Sequence, residues 1–201
     1  MASGERSGDW QDYYARTAGR PPRPTLLAAL DRFGATPTGG LAIDLGCGDG
    51  RDTVELLRRG WRVLAIDAEG AAIDRLLARS DLPERAALRT MVARFEEAEW
   101  PPAALINASF ALPLCPPARF FEVWARIGQR LAPGGRFSGQ LFGDRDSWAG
   151  RPGVTCLDRA TVERLLAGLA VEMFEEEETD AMTPLGKRKH WHLFHLVARK
   201  G

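Results

Sequence analysis

The sequence predicts an α/β fold in which helices cover both faces of a doubly wound, mostly parallel sheet that ends in an antiparallel strand pair. From residue 41 onward, short apolar runs alternate with segments whose apolar residues recur every three or four positions. Such alternation is typical of parallel strands joined by right-handed crossovers. Two strand-like runs, residues 170–179 and 190–199, follow each other without a helix between them. They predict the antiparallel pair.

Composition indicates an ordinary globular protein, with residues 25–201 forming one domain. Lysine plus arginine equals aspartate plus glutamate at 27 each, so charge gives no indication of a nucleic-acid or membrane partner. No apolar run approaches the roughly 20 residues that a membrane-spanning helix needs, and the first ten residues lack an apolar signal-peptide core. The three cysteines match no zinc pattern. We therefore expect a cytoplasmic protein.

Residues 1–24 are predicted to form an N-terminal tail that precedes this domain. Tyr13 and Tyr14 lie in a short aromatic segment, and a proline-rich stretch with Arg20 and Arg23 follows it. One interpretation is a hydrophobic strap packed on the domain. The other is a lid over a ligand site, in which one of the two arginines binds a carboxylate.

The chain is organised around residues 41–51, Leu-Ala-Ile-Asp-Leu-Gly-Cys-Gly-Asp-Gly-Arg, which predict a buried strand, a glycine-rich turn and the start of a helix. Glycines let the backbone turn sharply and a ligand approach, and the helix start offers unpaired N–H groups. Asp67 ends the next apolar strand. Nucleotide-binding βαβ units place a carboxylate for ribose hydroxyls about 20 residues after the first glycine. The stretch therefore predicts a nucleotide site.

Two residues in this turn distinguish two classes of nucleotide cofactor. A dinucleotide fingerprint has glycine or alanine where this chain has Arg51, and an apolar residue where it has Asp44. A carboxylate at Asp44 would repel a pyrophosphate but could accept hydrogen bonds from a cationic ligand. The string Asp-Leu-Gly-Cys-Gly-Asp-Gly at residues 44–50 resembles the first motif of class I S-adenosylmethionine (SAM) methyltransferases. SAM carries an ammonium and a sulfonium group and no phosphate.

The other elements are predicted in chain order. Strands are expected at residues 61–67, 87–92, 103–110, 136–142, 170–179 and 190–199. Helices are expected from Pro24 onward, at 53–59 and 71–79, from residues 116–117 onward, and at 157–169. Five βα units followed by a strand pair resemble the Rossmann-like, seven-stranded sheet of class I methyltransferases.

This resemblance implies where the cofactor would bind, because ligands of open parallel sheets bind beyond the carboxyl ends of the strands. Asp67 would hold the ribose hydroxyls, and Ala68 would lie beside the adenine. Asp44 and the backbone of Gly46 would face the methionine end. SAM is therefore the expected cofactor.

Later motifs of the family are looser in this chain. Asn107 and Ser109 occupy the family's fourth motif, which lies next to the transferable methyl group. Many members have an acidic residue after the third strand, where this chain has Arg94 and Phe95; either a backbone group replaces it or the adenine contact differs. The predicted cofactor-binding residues are Asp44, Gly46, Cys47, Gly48, Gly50, Arg51, Asp67, Ala68, Arg94, Phe95, Asn107 and Ser109.

Catalysis would require little of the protein, because the sulfonium of SAM supplies the reactive methyl group and the protein aligns the acceptor and excludes water. A base would assist a thiol or amine acceptor, and the candidates are Tyr13, Tyr14 and Asp144, with Asp146 in the same loop. Arg145 is a candidate for binding an anionic substrate, with a solvent salt bridge as the alternative. The histidines offer at most two ligands on one strand face, so no metal is expected.

The functional prediction is SAM-dependent methyl transfer to a small-molecule acceptor by a monomer or homodimer, without a nucleic-acid or membrane partner. Residues 106–115 and 190–195 are similar to small tellurite-resistance-type and related small-molecule methyltransferases. A nicotinamide-dependent oxidoreductase and a non-catalytic SAM-binding module are the alternatives. The acidic run at residues 175–178 is expected on a sheet edge or solvent face opposite the basic residues 187–189.

Overall fold

The structure is a computed structural model that describes residues 12–17, 19–34, 40–83 and 85–201. Six α-helices lie in this part of the chain: α1 (residues 12–17), α2 (Pro24–Asp31), α3 (Arg51–Arg58), α4 (Gly70–Leu77), α5 (Pro117–Arg130) and α6 (Arg159–Leu165). Residues 1–11 and 18 of the predicted tail lie outside the described residues. None of the described helices has the length and apolar character that spanning a membrane requires.

The strands form one sheet, with β1 (Leu41–Leu45), β2 (Arg62–Asp67), β3 (Leu88–Val92), β4 (Ala103–Ala108), β5 (Leu131–Gly143), β6 (Cys156–Leu157), β7 (Leu169–Met182) and β8 (Arg188–Lys200). Their order is β3-β2-β1-β4-β5-β8-β7, and the two-residue β6 pairs with the end of β5. Strands β1 to β6 pair in parallel, whereas β8 is antiparallel to both β5 and β7. The predicted mostly parallel sheet with an antiparallel C-terminal pair is confirmed.

The register of the parallel strands brings the polar residues at the strand ends together. Asp44 in β1 lies opposite Asn107 in β4, and Asn107 lies opposite Ser138 in β5. Asp67 closes β2 beside them, opposite Val92 of β3. The strand order reverses at β1 and β4, and open α/β sheets bind ligands at such a switch point. The fold therefore places the candidate site at this edge of the sheet.

Two hydrophobic clusters hold the helices on opposite faces of the sheet. Helices α2, α3 and α4 bury Leu26, Leu56 and Leu76 on one face, and α5 and α6 bury Phe120 and Val162 on the other. All five side chains are almost fully excluded from water. Full burial of one such side chain stabilises the fold by about 1.5–3 kcal/mol, so both helical layers are firmly attached.

The end of the chain differs in detail from the sequence prediction. Cys156 pairs in parallel with Phe142 of β5, so an eighth, very short strand stands where the predicted helix was to begin. Helix α6 starts only after Asp158, whose carboxylate accepts a hydrogen bond from the backbone N–H of Thr161 at 2.6 Å. This N-cap, expected near Asp158, sets the start of the helix.

Candidate functional site

The turn between β1 and α3 needs its glycines for conformation and for space. Gly46, Gly48 and Gly50 have φ values of +68°, +56° and +84°, in the left-handed region where other residues are strained. A Cβ on Gly46 would lie 2.4 Å from the Cβ of Ala111, and one on Gly50 would lie 2.2 Å from a methyl carbon of Leu76. The missing side chain of Gly50 thus leaves room for Leu76 of α4. The missing side chain of Gly46 lets the turn contact Ala111, in the segment after β4.

Asp67 organises the same turn from the end of β2. Its side chain is almost buried, and its two carboxylate oxygens each accept a backbone hydrogen bond, from Gly48 and from Glu69, both at 2.9 Å. Burial raises the pKa of Asp67, while these two hydrogen bonds lower it. Each carboxylate oxygen has a second lone pair, so Asp67 can hold the turn and accept further hydroxyl hydrogen bonds.

Asp44 is buried beneath the turn. Its carboxylate accepts hydrogen bonds from the Thr53 hydroxyl at 2.6 Å and from the Asn107 amide at 3.0 Å. Burial, and then the negative charge of Asp52, raise the pKa of Asp44 to about 7 against the effect of those hydrogen bonds. A buried pair of carboxylates favours a cationic ligand nearby, because its charge would relieve their repulsion.

Asn107 connects the polar groups of three strands. Its amide nitrogen donates to Asp44 and to Asp52, both at 3.0 Å. Its amide oxygen accepts from the hydroxyls of Ser138 at 2.8 Å and Ser109 at 3.2 Å. The amide is therefore fully engaged within the protein and fixes the two carboxylates in place.

The N-terminal helix α1 covers the turn with Tyr14. The side chain is 8% exposed, and a Cβ on Gly48 would lie 3.0 Å from its ring. Burial, followed by the negative charge of Asp67, raises the pKa of Tyr14. A phenol with a raised pKa stays protonated at neutral pH, so Tyr14 is suited to covering the turn and not to removing a proton. The Tyr13 ring packs edge-on against it, with centroids 5.6 Å apart.

Helix α3 binds the segment that follows α1. The Nε of Arg51 donates to the carbonyl oxygen of Pro21, and the backbone N–H of Arg23 donates to Asp52 at 2.9 Å. Arg51, a predicted cofactor contact, is thus placed against the N-terminal segment. Arg20 is exposed nearby. These two hydrogen bonds hold the segment in place across the edge of the sheet where the strands end.

Phe110, which sequence reasoning missed, has an unusual backbone conformation. Its φ of +55° makes it the one described non-glycine residue with a positive φ. Its N–H donates to the side chain of Gln140 at 3.0 Å, and Gln140 donates to the Thr25 hydroxyl at 2.8 Å. Such a backbone costs on the order of 1–3 kcal/mol and occurs preferentially at functional sites. The fixed backbone directs the ring toward Arg23, whose guanidinium lies 4.3 Å from its centroid.

An aromatic cluster continues from Phe110 toward the loop after β5. Trp191 of β8 lies edge-on to Phe110, with ring centroids 6.3 Å apart, and 6.1 Å from both Phe142 and Trp148. Phe110, Trp148 and Trp191 are all partly exposed. The cluster therefore forms an apolar wall of mutually inclined rings next to the segment after β4.

A buried ion pair supports this wall, and it corrects the expectation that the acidic run 175–178 lies opposite the basic residues 187–189, because the run pairs with residues 192–195 and Lys189 is buried elsewhere. Lys189 is 3% exposed and pairs with buried Asp146. Its ammonium also lies over three rings, 3.9 Å from the centroid of Trp191. Asp146 and Trp148 come from a loop more than 40 residues earlier, which a charge pattern cannot reveal. Strand alternation, which places Lys189 on the same face as Trp191, was the available signal.

Arg145 and Asp144 lie away from the turn. Arg145 donates to Glu178 at 2.7 Å and to Glu176 at 3.0 Å, and these carboxylates raise its pKa. Its guanidinium is thus engaged by β7, as the alternative salt-bridge interpretation expects. Asp144 is half exposed, 3.5 Å from His192 and 3.8 Å from Arg145. It borders a cavity of about 490 Å³ that opens toward the start of α5.

The remaining predicted contacts divide between the site and the surface. Phe95 lies against the first glycine of the turn, and Cys47 is buried, which raises the pKa of its thiol. Ala68 is exposed beside Asp67. Arg94 points to solvent, where it pairs with Glu96 at 2.9 Å.

The histidines of β8 pair with carboxylates of the edge strand β7. His190 lies 3.0 Å from Glu178, and His195 lies 2.9 Å from Glu177. The acidic run thus lies on an edge strand, as expected, but its partners are chiefly histidines and arginines. Across the described part of the chain, no group of three or more histidine, cysteine or acidic residues is arranged to hold a metal ion.

The sheet order and the acidic glycine turn define the class I methyltransferase fold. Residues 42–135 match a family model described as a methyltransferase domain. Over these residues the chain is similar to that family, and the resemblance found in the sequence is confirmed. A search of curated proteins gave no match.

Solved structures with the same fold include several methyltransferases. TehB from Haemophilus influenzae has a TM-score of 0.76 at 16% identity, over 96% of this chain and 67% of that one. The 1,6-didemethyltoxoflavin-N1-methyltransferase of Burkholderia thailandensis, solved with 1,6-didemethyltoxoflavin and S-adenosylhomocysteine, has a TM-score of 0.64 at 20% identity, over 100% and 91% of the chains. Magnesium protoporphyrin IX methyltransferase from Synechocystis PCC 6803, solved with SAM, has a TM-score of 0.67 at 14% identity, over 97% and 92%.

Proposed function

We propose that the protein is a SAM-dependent methyltransferase that acts on a small-molecule acceptor. The observation that carries this proposal is the set of three buried carboxylates, Asp44, Asp52 and Asp67, around the glycine turn. Burial of carboxylates without a paired cation is costly even when they are hydrogen-bonded, and a ligand with an ammonium and a sulfonium group would offset that cost. A pyrophosphate would be repelled by the same groups, which weighs against the nicotinamide-dependent oxidoreductase.

The residues of the turn fit the chemistry of SAM. Asp67 would accept hydrogen bonds from the ribose hydroxyls, with Ala68 and Phe95 beside the adenine. Asp44 and the backbone of Gly46 would face the methionine end. When bound, SAM would supply the methyl group: the acceptor lone pair would form a bond to the methyl carbon, and the carbon–sulfur bond would break with its electrons passing to sulfur.

The tasks left to the protein are alignment and exclusion of water. Asn107 and its partners hold the strand ends rigid, and Tyr14 covers the turn. The proton lost by the acceptor goes to solvent in this proposal, because the raised pKa of Tyr14 opposes its use as a base and Asp144 faces the other cavity. Residues 12–23 would then act as a lid over the site.

A small-molecule acceptor is supported by the fold neighbours, one of which was solved with bound 1,6-didemethyltoxoflavin. The balanced net charge supports the absence of a nucleic-acid partner. Three free cysteines support a cytoplasmic location. A monomer or homodimer remains our prediction, and a non-catalytic SAM-binding module is the alternative that turnover experiments would distinguish.

The test is calorimetric titration with SAM, S-adenosylhomocysteine and NADH. Wild-type protein should bind both SAM-type ligands and not NADH. Asp67→Ala should weaken their binding by at least about tenfold, or about 1.4 kcal/mol, whereas Asp74→Ala, at an exposed position of α4, should not. Asp67→Asn, which keeps an acceptor for the Gly48 N–H, separates lost binding from a disturbed turn. Binding of NADH alone would overturn the proposal.

A further inference from the structure

Three arginines gather where the N-terminal segment crosses α3. Arg51 donates to the carbonyl oxygen of Pro21. Burial and then the positive charge of Arg23 lower the pKa of Arg51, with a smaller effect from Arg20, while the negative charge of Asp52 opposes them. Within the described ranges, no carboxylate forms an ion pair with any of the three. By contrast, Arg136 is clamped by a carboxylate at 2.6 Å. Three positive charges beside a single carboxylate, Asp52, leave an excess of positive charge that favours an anionic ligand.

Arg23 is the best positioned of the three to bind such a ligand. Its backbone is fixed, because its N–H donates to Asp52 at 2.9 Å. Its guanidinium lies over the Phe110 ring at 4.3 Å and donates no side-chain hydrogen bond to any described residue. A guanidinium carries five N–H donors in a planar fork that matches a carboxylate. The structure thus presents an anchored cation whose donors remain available.

The surface next to Arg23 is aromatic. Phe110 and Trp191 meet edge-on, and Trp148 extends the wall, all three partly exposed. The buried ammonium of Lys189 lies over Trp191 on the same wall. Partly exposed aromatic faces bind planar ligands by stacking, which contributes about 0.5–1.5 kcal/mol beyond apolar burial.

This wall adjoins the turn proposed to hold the cofactor. Phe110 directly follows Ser109, which donates to Asn107 at 3.2 Å. The next residue, Ala111, packs against the turn at Gly46. A ligand on Phe110 would therefore lie within a few residues of the strand ends where the methyl group is expected.

We propose that the methyl acceptor is a planar aromatic molecule with an anionic group, its ring packed in the corner between the edge-on rings of Phe110 and Trp191 and its anion bound by Arg23. This inference rests on the proposed function and specifies its substrate class. The charges of the site would then be divided, with carboxylates beneath the turn for a cationic cofactor and arginines above it for an anionic acceptor. Opposite charges on the two ligands would also favour their approach.

The experiment measures equilibrium binding, so that it does not depend on which acceptor atom is methylated. The protein, saturated with S-adenosylhomocysteine, is titrated calorimetrically with 6-hydroxy-2-naphthoate, its neutral amide 6-hydroxy-2-naphthamide, and the aliphatic anion hexanoate. The same titrations use Arg23→Gln, Phe110→Leu and a control, Arg89→Gln, which removes one positive charge from an exposed position on β3. Binding of S-adenosylhomocysteine is measured first for every variant.

The aromatic carboxylate should bind at least about tenfold more tightly than its amide and than hexanoate, a difference of about 1.4 kcal/mol. Arg23→Gln should remove the preference for the carboxylate, and Arg89→Gln should keep it. Phe110→Leu should weaken both ring-bearing probes and leave their ratio unchanged. Equal binding of carboxylate and amide, a preference that survives in Arg23→Gln, or no saturable binding of the aromatic carboxylate would overturn the inference. Failure of S-adenosylhomocysteine to bind would instead overturn the proposed function.

Discussion

At the scale of single residues, Asp44 shows how burial and a neighbouring carboxylate raise the pKa of a side chain in the site. The strand register places it between Thr53 and Asn107, with Asp52 close by. Loss of hydration, followed by the negative charge of Asp52, opposes ionisation of Asp44. Asp44 therefore holds its proton to an unusually high pH.

This raised pKa predicts how the stability of the free protein depends on pH. The folded-state pKa of Asp44, about 7, exceeds that of an unfolded aspartate, about 3.9. The folded state binds the proton more tightly, so the contribution is fully present below about pH 4 and lost as the pH rises through about 7. We expect wild type to lose unfolding free energy relative to Asp44→Asn across that interval.

Chemical denaturation at several pH values between 4 and about 8 measures this difference. Asp74→Asn provides the control, because that side chain is exposed on α4, and its difference from wild type should stay nearly constant with pH. A constant difference between wild type and Asp44→Asn would show that Asp44 is ionised throughout.

At the scale of elements, strand and helix patterns were predictable because each element carries its own periodicity. The five βα units and the terminal strand pair follow from alternation along the chain. The residue types in the glycine turn also sufficed to indicate Asp67, whose carboxylate holds that turn. Lys189 could not be assigned in this way, because its burial depends on Asp146 and on rings from two separate segments.

The buried Lys189–Asp146 pair predicts strong coupling between β8 and the loop after β5. Removing one partner leaves the other charge buried, and such single substitutions typically cost about 3–5 kcal/mol. We expect Lys189→Met and Asp146→Asn each to destabilise the protein strongly, and the double variant to cost clearly less than their sum. Methionine suits the aromatic surroundings, because its thioether packs well against rings.

A double-mutant cycle by chemical denaturation measures the coupling. The exposed pair of Arg119 and Glu122 in α5 is the matched control, and its coupling should stay within about 1 kcal/mol. Additive effects at Lys189 and Asp146 would mean that the aromatic cage alone stabilises the ammonium.

At the scale of the whole molecule, the sheet supplies a rigid edge and the N-terminal segment supplies its cover. Helix α1 reaches the turn through Tyr14, which belongs to neither of the two hydrophobic clusters. Arg51 and Asp52 bind the segment from α3 by only two hydrogen bonds. Elements with few buried contacts open at lower free energy than the core, so this cover can move while the sheet stays folded.

We therefore expect Tyr14→Ala to accelerate dissociation of S-adenosylhomocysteine by about tenfold, equivalent to about 1.4 kcal/mol, because the ring packs over Gly48 at the site. Stopped-flow competition measures the rate. The melting temperature of the core should change little, because the segment that carries the ring opens at lower free energy than the two hydrophobic clusters. Arg16→Ala shortens an exposed side chain on the same helix and should leave the dissociation rate unchanged. An unchanged rate in Tyr14→Ala would instead identify α1 as a static strap.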